Sequence, residues 1–150
     1  MSTVESSIDV NVDVTTAYNQ WTQFESFPQF MENVRSVHQL DDRRLHWVAE
    51  IGGETKEWDA EIVEQIPDQR IAWSSISGEA NGGVVTFQSL GDTVCKIHLR
   101  MDYEPQGMLE KAGDALGVVD RRVRGDLERF KQFIESRGEE TGDWRGTVAA

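Results

Sequence analysis

Gln106 to Gly138 reads QGMLEKAGDALGVVDRRVRGDLERFKQFIESRG, and its spacing decides how the rest of the chain is read. Leu109, Ala112, Leu116, Val119, Val123, Leu127, Phe130 and Ile134 recur at intervals of three or four. At about 100° per residue they fall within roughly 80° of the circumference, one apolar stripe on one long helix. Arg121, Arg122, Arg124, Glu128, Arg129 and Glu135 take the other faces, as a solvated surface requires. Gly138 stands where a helix ends in the left-handed region. About thirty helical residues would span roughly 45 Å. A stripe of that length needs a broad apolar surface to lie on.

The sequence upstream supplies that surface. From Val34 onwards the apolar period is two, which predicts strands at 34–40, 43–51, 56–66, 69–77, 83–90 and 93–103. Turn residues separate them at Asp41-Asp42, Gly52-Gly53, Pro67-Asp68, Gly78 to Gly83 and Gly91-Asp92. Connections this short make antiparallel hairpins. Leu45, Trp47, Ala49 and Ile51 share one face, and Trp58, Ala60, Ile62 and Ile66 continue it. Ile71, Trp73, Val85, Phe87, Cys95, Ile97, Leu99, Met101 and Tyr103 extend it further. His46, Glu50, Glu57, Asp59, Glu61, Lys96, His98 and Arg100 lie on the other, wet face.

Before these strands, Val4 to Val12 alternates as a first strand. Asp13 is placed to cap a helix over Val14 to Gln23, with Ala17, Tyr18 and Trp21 on its apolar face. The connector Phe24 to Met31 is rich in aromatic residues, and Ser26 and Pro28 mark the start of a second short helix. Phe24, Phe27, Phe30 and Met31 have two readings: a plug at one end of the core, or a lip over a pocket. Gly138 to Ala150 has no periodicity, so residues 139–150 read as a weakly ordered tail, with Trp144 placed to dock. Residues 1–138 read as a single domain.

A chain of 150 residues can bury a core without disulfides or metal. Its one cysteine, Cys95, excludes an internal disulfide and fits a reducing compartment. The N-terminal residues lack the basic and apolar regions of a signal peptide. No apolar run approaches the ~20 residues of a membrane span. The expected location is cytoplasmic, with no transmembrane segment. A formal net charge of −12 opposes phosphate backbones, so no nucleic-acid partner is expected.

The order of strand, two short helices, six strands and long helix resembles the helix-grip fold of the START-like or SRPBCC superfamily. That superfamily includes the birch pollen allergen, lipid-transfer START domains, coenzyme Q-binding proteins and the polyketide cyclase/dehydrase group. Val10, Val12, Ala17, Tyr18, Trp21, Phe24, Phe27, Pro28, Phe30 and Met31 carry the resemblance first. Trp58, Ile62, Pro67, Arg70, Ile71, Trp73, Gly78, Gly83, Val85 and Phe87 carry it through the strands. Tyr103, Pro105 and Gly107 carry it up to the long helix. The implied class is α+β: a curved seven-stranded antiparallel sheet wrapped around a long C-terminal helix, with two short helices between strands 1 and 2.

Seven strands at ~4.8 Å make a sheet wider than one ~10 Å helix can cover. Large side chains fill the remainder, or a cavity stays open. In such a fold the cavity would have Trp58, Trp73, Phe87, Tyr103, Leu109 and Leu116 on its wall. Phe27, Phe30 and Met108 would stand near its lip. Its mouth would lie near Phe24 to Met31, a mobile Ser77–Gly83 turn and the Glu104–Met108 connector. Glu64 shares the parity of Trp58 and would approach the rim; Ser75 and Ser77 share the apolar parity too.

Chemistry is sparse. His38, His46 and His98 are scattered, and neither CxxC nor a phosphate-binding glycine loop occurs. No catalytic residue, metal ligand or cofactor is assigned. The resemblance implies binding of a small hydrophobic ligand, namely a polyketide, quinone, isoprenoid or lipid. A cyclase/dehydrase-type enzyme is the second reading and a protein–protein module the third. Oligomeric state stays open.

Overall fold

Asp13 ends the first strand by starting a helix. Its carboxylate accepts from the Thr16 amide at 3.2 Å, so the chain turns away from the sheet at that point. The computed structural model describes residues 2–51, 53–78, 81–103 and 115–148. In order these form β1 (Ser2–Val10), α1 (Val14–Trp21), a 3-10 helix (Phe24–Gln29), β2 (Val34–Gln39), β3 (Arg44–Ile51) and β4 (Glu54–Ile66). Then come β5 (Arg70–Gly78), β6 (Asn81–Gly91), β7 (Val94–Tyr103) and α2 (Ala115–Arg137). The helix start expected at Gln106, together with Met108 and Leu109, lies outside the described residues.

Short hairpins give one antiparallel seven-stranded sheet in the order β1-β7-β6-β5-β4-β3-β2. Only β1 joins out of sequence, because α1 and the 3-10 helix carry the chain from β1 to the far edge. The turns use the expected chemistry. Asp41 Oδ1 accepts from the Arg43 and Arg44 amides at 2.8 and 2.9 Å, and Asp68 takes φ 62° after Pro67. Gly138 closes α2 at φ 76°, donating to the Ile134 carbonyl at 3.0 Å. The described part of the stripe, Val123, Leu127, Phe130 and Ile134, is buried in the same core as Trp47, Ile62, Trp73 and Ile97.

Three local readings need correction. First, Ser26 does not cap the second helix. That helix begins two residues earlier, at Phe24, with Gln23 before it and no side-chain cap. Second, a bulge between Ile62 and Glu64 shifts the β4–β5 register. An extra residue inverts the parity that follows it. Gln65 is therefore buried and Ile66 only half-buried, while Glu64 pairs with Arg70 at 2.7 Å instead of approaching a cavity rim. Third, β6 begins at Asn81, so Gly82 and Gly83 are buried strand residues rather than a turn. Gly83 has a packing reason: a Cβ there would come within 2.5 Å of the Trp73 ring. Ser75 finds a backbone partner, accepting from the Asn81 amide at 3.0 Å, and Ser77 is exposed.

Residues 139–148 have no helix, yet they dock. Thr141 exchanges two hydrogen bonds with the Gln20 carboxamide, at 2.9 and 3.0 Å. Asn19 donates to Glu140 at 2.9 Å and accepts from Arg145 at 2.7 Å. Val148 and Gln65 exchange backbone bonds at 2.7 and 2.9 Å, and the Val148 side chain is buried. The two polar residues of α1 that no amphipathic pattern would bury, Asn19 and Gln20, are buried through these contacts.

Candidate functional site

Trp47 and Trp58 face each other directly across β3 and β4, so their rings share one side of the sheet. They stack at 5.9 Å with planes 9° apart, and Trp73 of β5 stacks on Trp47 at 5.8 Å and 25°. Rings from β3 and β5 can meet across β4 only where β4 offers a small residue, and it offers Ala60. Gly83 leaves room behind Trp73. The result is a ladder of three indoles on the inner face.

Between this ladder and α2 lies a cavity of about 100 Å³. Met31, Ala49, Leu99, Met101, Tyr103 and Val123 complete its mainly apolar wall. Three polar groups on lining residues have no protein partner among the described residues: the indole N–H of Trp47, that of Trp58, and the Tyr103 hydroxyl. A buried donor left unpaired costs about 1–3 kcal/mol. A molecule in the cavity that carries an accepting oxygen would recover part of that.

At one side the wall is charged. Arg122 and Asp126, one helical turn apart on α2, line the cavity with Asn33. With its carboxamide turned so that the oxygen faces the guanidinium, the orientation that satisfies both groups, Asn33 accepts from Arg122 Nε and, at 3.0 Å, from Nη2. The Asp126 side chain is only 12% exposed, and its carboxylate accepts from Arg129 and from the Glu32 amide at 3.3 Å. Burial pushes the Asp126 carboxyl above the ordinary carboxylate range, against the lowering effect of Arg129. Burial likewise lowers the Arg122 guanidinium. Burial takes the Cys95 thiol up to about 11, away from the range of an activated thiol.

Of the residues expected at the site, Trp58, Trp73 and Tyr103 line the cavity. Phe87 does not: its ring packs edge to face on Tyr18 at 5.3 Å, under α1. Phe27 and Phe30 are not at a lip either. Both are fully buried, Phe27 between Trp21 and Trp47, Phe30 between Trp21 and Phe130. The plug reading holds for them, and Met31 alone of that connector reaches the cavity together with Asn33 and Val34 beyond it. Met108 and Leu109 lie outside the described residues. The backbone of Leu116 lies in α2, but its side chain is not described.

Arg122 and Asp126 were missed because charge on a helix reads as solvated surface. A signal was present: on a helical wheel Asp126 falls about 20° from the edge of the apolar stripe, and Arg122 lies one turn before it. Among the described residues no group of three acidic, histidine or cysteine side chains is placed to hold a metal ion. No helix there is long and apolar enough to cross a membrane.

Comparison with known proteins agrees with this architecture. An uncharacterized 17.2 kDa protein of Streptomyces lincolnensis is 58% identical over 149 residues, covering 99% of each chain. A Deinococcus radiodurans crystal structure superposes with a TM-score of 0.72 at 27% identity, over 91% of this chain and 99% of that one. The ZhuI aromatase/cyclase of a Streptomyces species superposes with a TM-score of 0.76 at 15% identity, over 95% and 99%. A START superfamily protein of Mycobacterium smegmatis gives 0.70 at 17%, over 90% and 95%. At those last two identities the likeness is one of fold. Residues 10–132 match the family described as polyketide cyclase/dehydrase and lipid transport, and the chain belongs to that family.

Proposed function

We propose that this protein is a cytoplasmic binding or carrier protein for a small lipophilic molecule with at least one accepting oxygen, a polyketide, quinone, isoprenoid or lipid. The observation that carries the reading is the indole ladder with unpaired donors on cavity-lining side chains. Flat apolar walls take up rings and chains, and a few donors orient an oxygen. The cavity is smaller than the ~150 Å³ that admits benzene in an engineered protein core. Met31 and Met101, unbranched and adaptable, are the wall residues that would yield to a larger guest.

Titration with menadione, a quinone that quenches indole fluorescence, tests the reading. Saturable quenching is expected in the wild type. Ala49→Leu should weaken it at least tenfold while keeping the melting temperature, because the added methyl groups occupy the cavity. Absence of saturable binding for menadione, decanol and decanoate alike would overturn the carrier reading.

One observation favours the cyclase/dehydrase-type alternative. Asp126 is a buried carboxyl beside the cavity with its pKa raised, the property a proton-transfer group needs. It ranks second because Arg129 and the Glu32 amide already occupy that carboxylate.

A further inference from the structure

The acids and bases around the inner end of α2 are paired unevenly. Arg129 is fully engaged: it donates to the Phe30 carbonyl at 3.0 Å, bonds Asp126, and stands 3.6 Å from Glu32. Arg122, about two helical turns before it on α2, has no such partner among the described residues. Among the described residues its contact is the neutral Asn33 carboxamide, and none of the ion pairs within 4.0 Å includes it. The two nearby carboxylates, Asp126 and Glu32, reach it only as more distant charges, because Arg129 takes them up.

A half-buried guanidinium whose neighbouring carboxylates are held by another arginine is costly, and the cost falls if a ligand brings a closer anion. Guanidinium has five N–H donors in a planar fork, and Asn33 takes two of them. The other unpaired groups on the wall, Trp47 Nε1, Trp58 Nε1 and the Tyr103 hydroxyl, are donors as well. The overall charge of −12 repels anions, so any preference for one has to come from a local cation of this kind.

We infer that Arg122 anchors a lipophilic acid: a carboxylate, or an acidic enol, meets its guanidinium while the apolar body lies along the Trp58–Trp47–Trp73 ladder. The inference rests on the lipophilic-ligand reading above and narrows its chemical class. Asp126 then sets the strength of the anchor, since its negative charge competes with the ligand for Arg122.

Decanoate and decanol, equal in chain length and different in charge, separate the two claims in one fluorescence titration near neutral pH. The wild type should bind decanoate about tenfold more tightly than decanol, the effect of one charged hydrogen-bonded pair. Arg122→Gln should bring the decanoate-to-decanol affinity ratio to about one. Asp126→Asn should raise the decanoate-to-decanol affinity ratio, a change of sign that mere loosening of the fold would not produce. Should Arg122→Gln fail to fold, Arg122→Lys and Asp126→Asn still decide the matter: the lysine keeps a reduced preference, and the asparagine raises it. Equal affinity for both probes in the wild type would overturn the anchor alone, as would a preference surviving Arg122→Gln. Failure of both probes to bind would overturn the anchor and the lipophilic site together.

Discussion

Under α1, Trp21, Phe27, Phe30 and Phe130 meet edge to face or tilted, with centroids 5.1 to 5.6 Å apart. Across the same inner face, Trp58, Trp47 and Trp73 lie nearly parallel at 5.8 to 5.9 Å, with a void beside them. The two groups touch through Phe27 and Trp47, at 5.7 Å. Rings at steep angles interlock and leave no gap, and they are supplied by three different elements that close on one another. Stacked rings from neighbouring strands present flat faces, and a flat face needs a cover. Where α2 presents Val123 with Arg122 and Asp126 beside it, that cover is incomplete. Aromatic content does not distinguish the two regions; the direction from which each ring arrives does.

Truncation should separate them most sharply. Phe30→Ala removes a ring packed against four others and should cost about 3–5 kcal/mol. Trp58→Phe, at the edge of an existing void, should cost under about 1.5 kcal/mol. Urea unfolding monitored by circular dichroism measures both. Equal losses would mean that the ladder is as tightly interlocked as the plug, and the distinction between the two regions would be lost.

The sequence shows residue types along one chain, and that is enough where a pattern meets one partner surface. The strands, the turns at Asp41, Gly53 and Asp68, the Asp13 cap and the stripe of α2 from Val123 to Ile134 are all legible for that reason. Parity counting fails at the Ile62–Glu64 bulge, because an extra residue leaves no mark in composition. Phe27 and Phe30 could be a lip or a plug until Trp21 and Phe130 are seen to close on them. Arg122 and Asp126 reach the cavity because Asn33 and the Glu32 amide hold them, and those contacts join residues about ninety positions apart.

An intermediate effect is expected from the tail, which bears on the plugged region alone. Deletion after Gly138 removes the Val148 side chain from the core, the pair of Gln65–Val148 backbone bonds, and the partners of Asn19 and Gln20. Burying one valine contributes about 1.5–3 kcal/mol, and each orphaned polar group on α1 adds a cost where water does not replace the tail. The deletion should therefore lower stability by about 2 kcal/mol or more and leave decanol affinity at the ladder unchanged. A loss below about 0.5 kcal/mol would favour the weakly ordered tail that the sequence suggested. A loss of ligand binding at unchanged stability would instead tie the tail to the cavity.

The smallest effect is expected behind the ladder, on the wet face of the same two strands. His46 stands opposite Asp59 and next to the Trp47–Trp58 pair, with Nδ1 2.6 Å from Asp59 and Nε2 3.1 Å from Glu57. His38 faces it from β2, while Arg44 and Glu50 flank it on β3. Hydrogen bonds to Asp59 and Glu57 raise its pKa above 6.5. A folded-state pKa above the unfolded value means that folding takes up a proton. The stabilisation is then complete below 6.5 and is lost as pH rises through the higher folded-state value. The groups are partly solvated, so the effect should be a few tenths to about 1 kcal/mol. Melting curves at about pH 6 and about pH 8.5 should show wild type losing stability relative to His46→Gln as pH rises. Both variants of the plug, Phe30→Ala and the tail deletion, should keep the wild-type slope, since neither touches β3 or β4 on that face. An identical slope in His46→Gln would show that the His46 contacts hold no folded-state proton, and that pH does not distinguish the ladder from the plug.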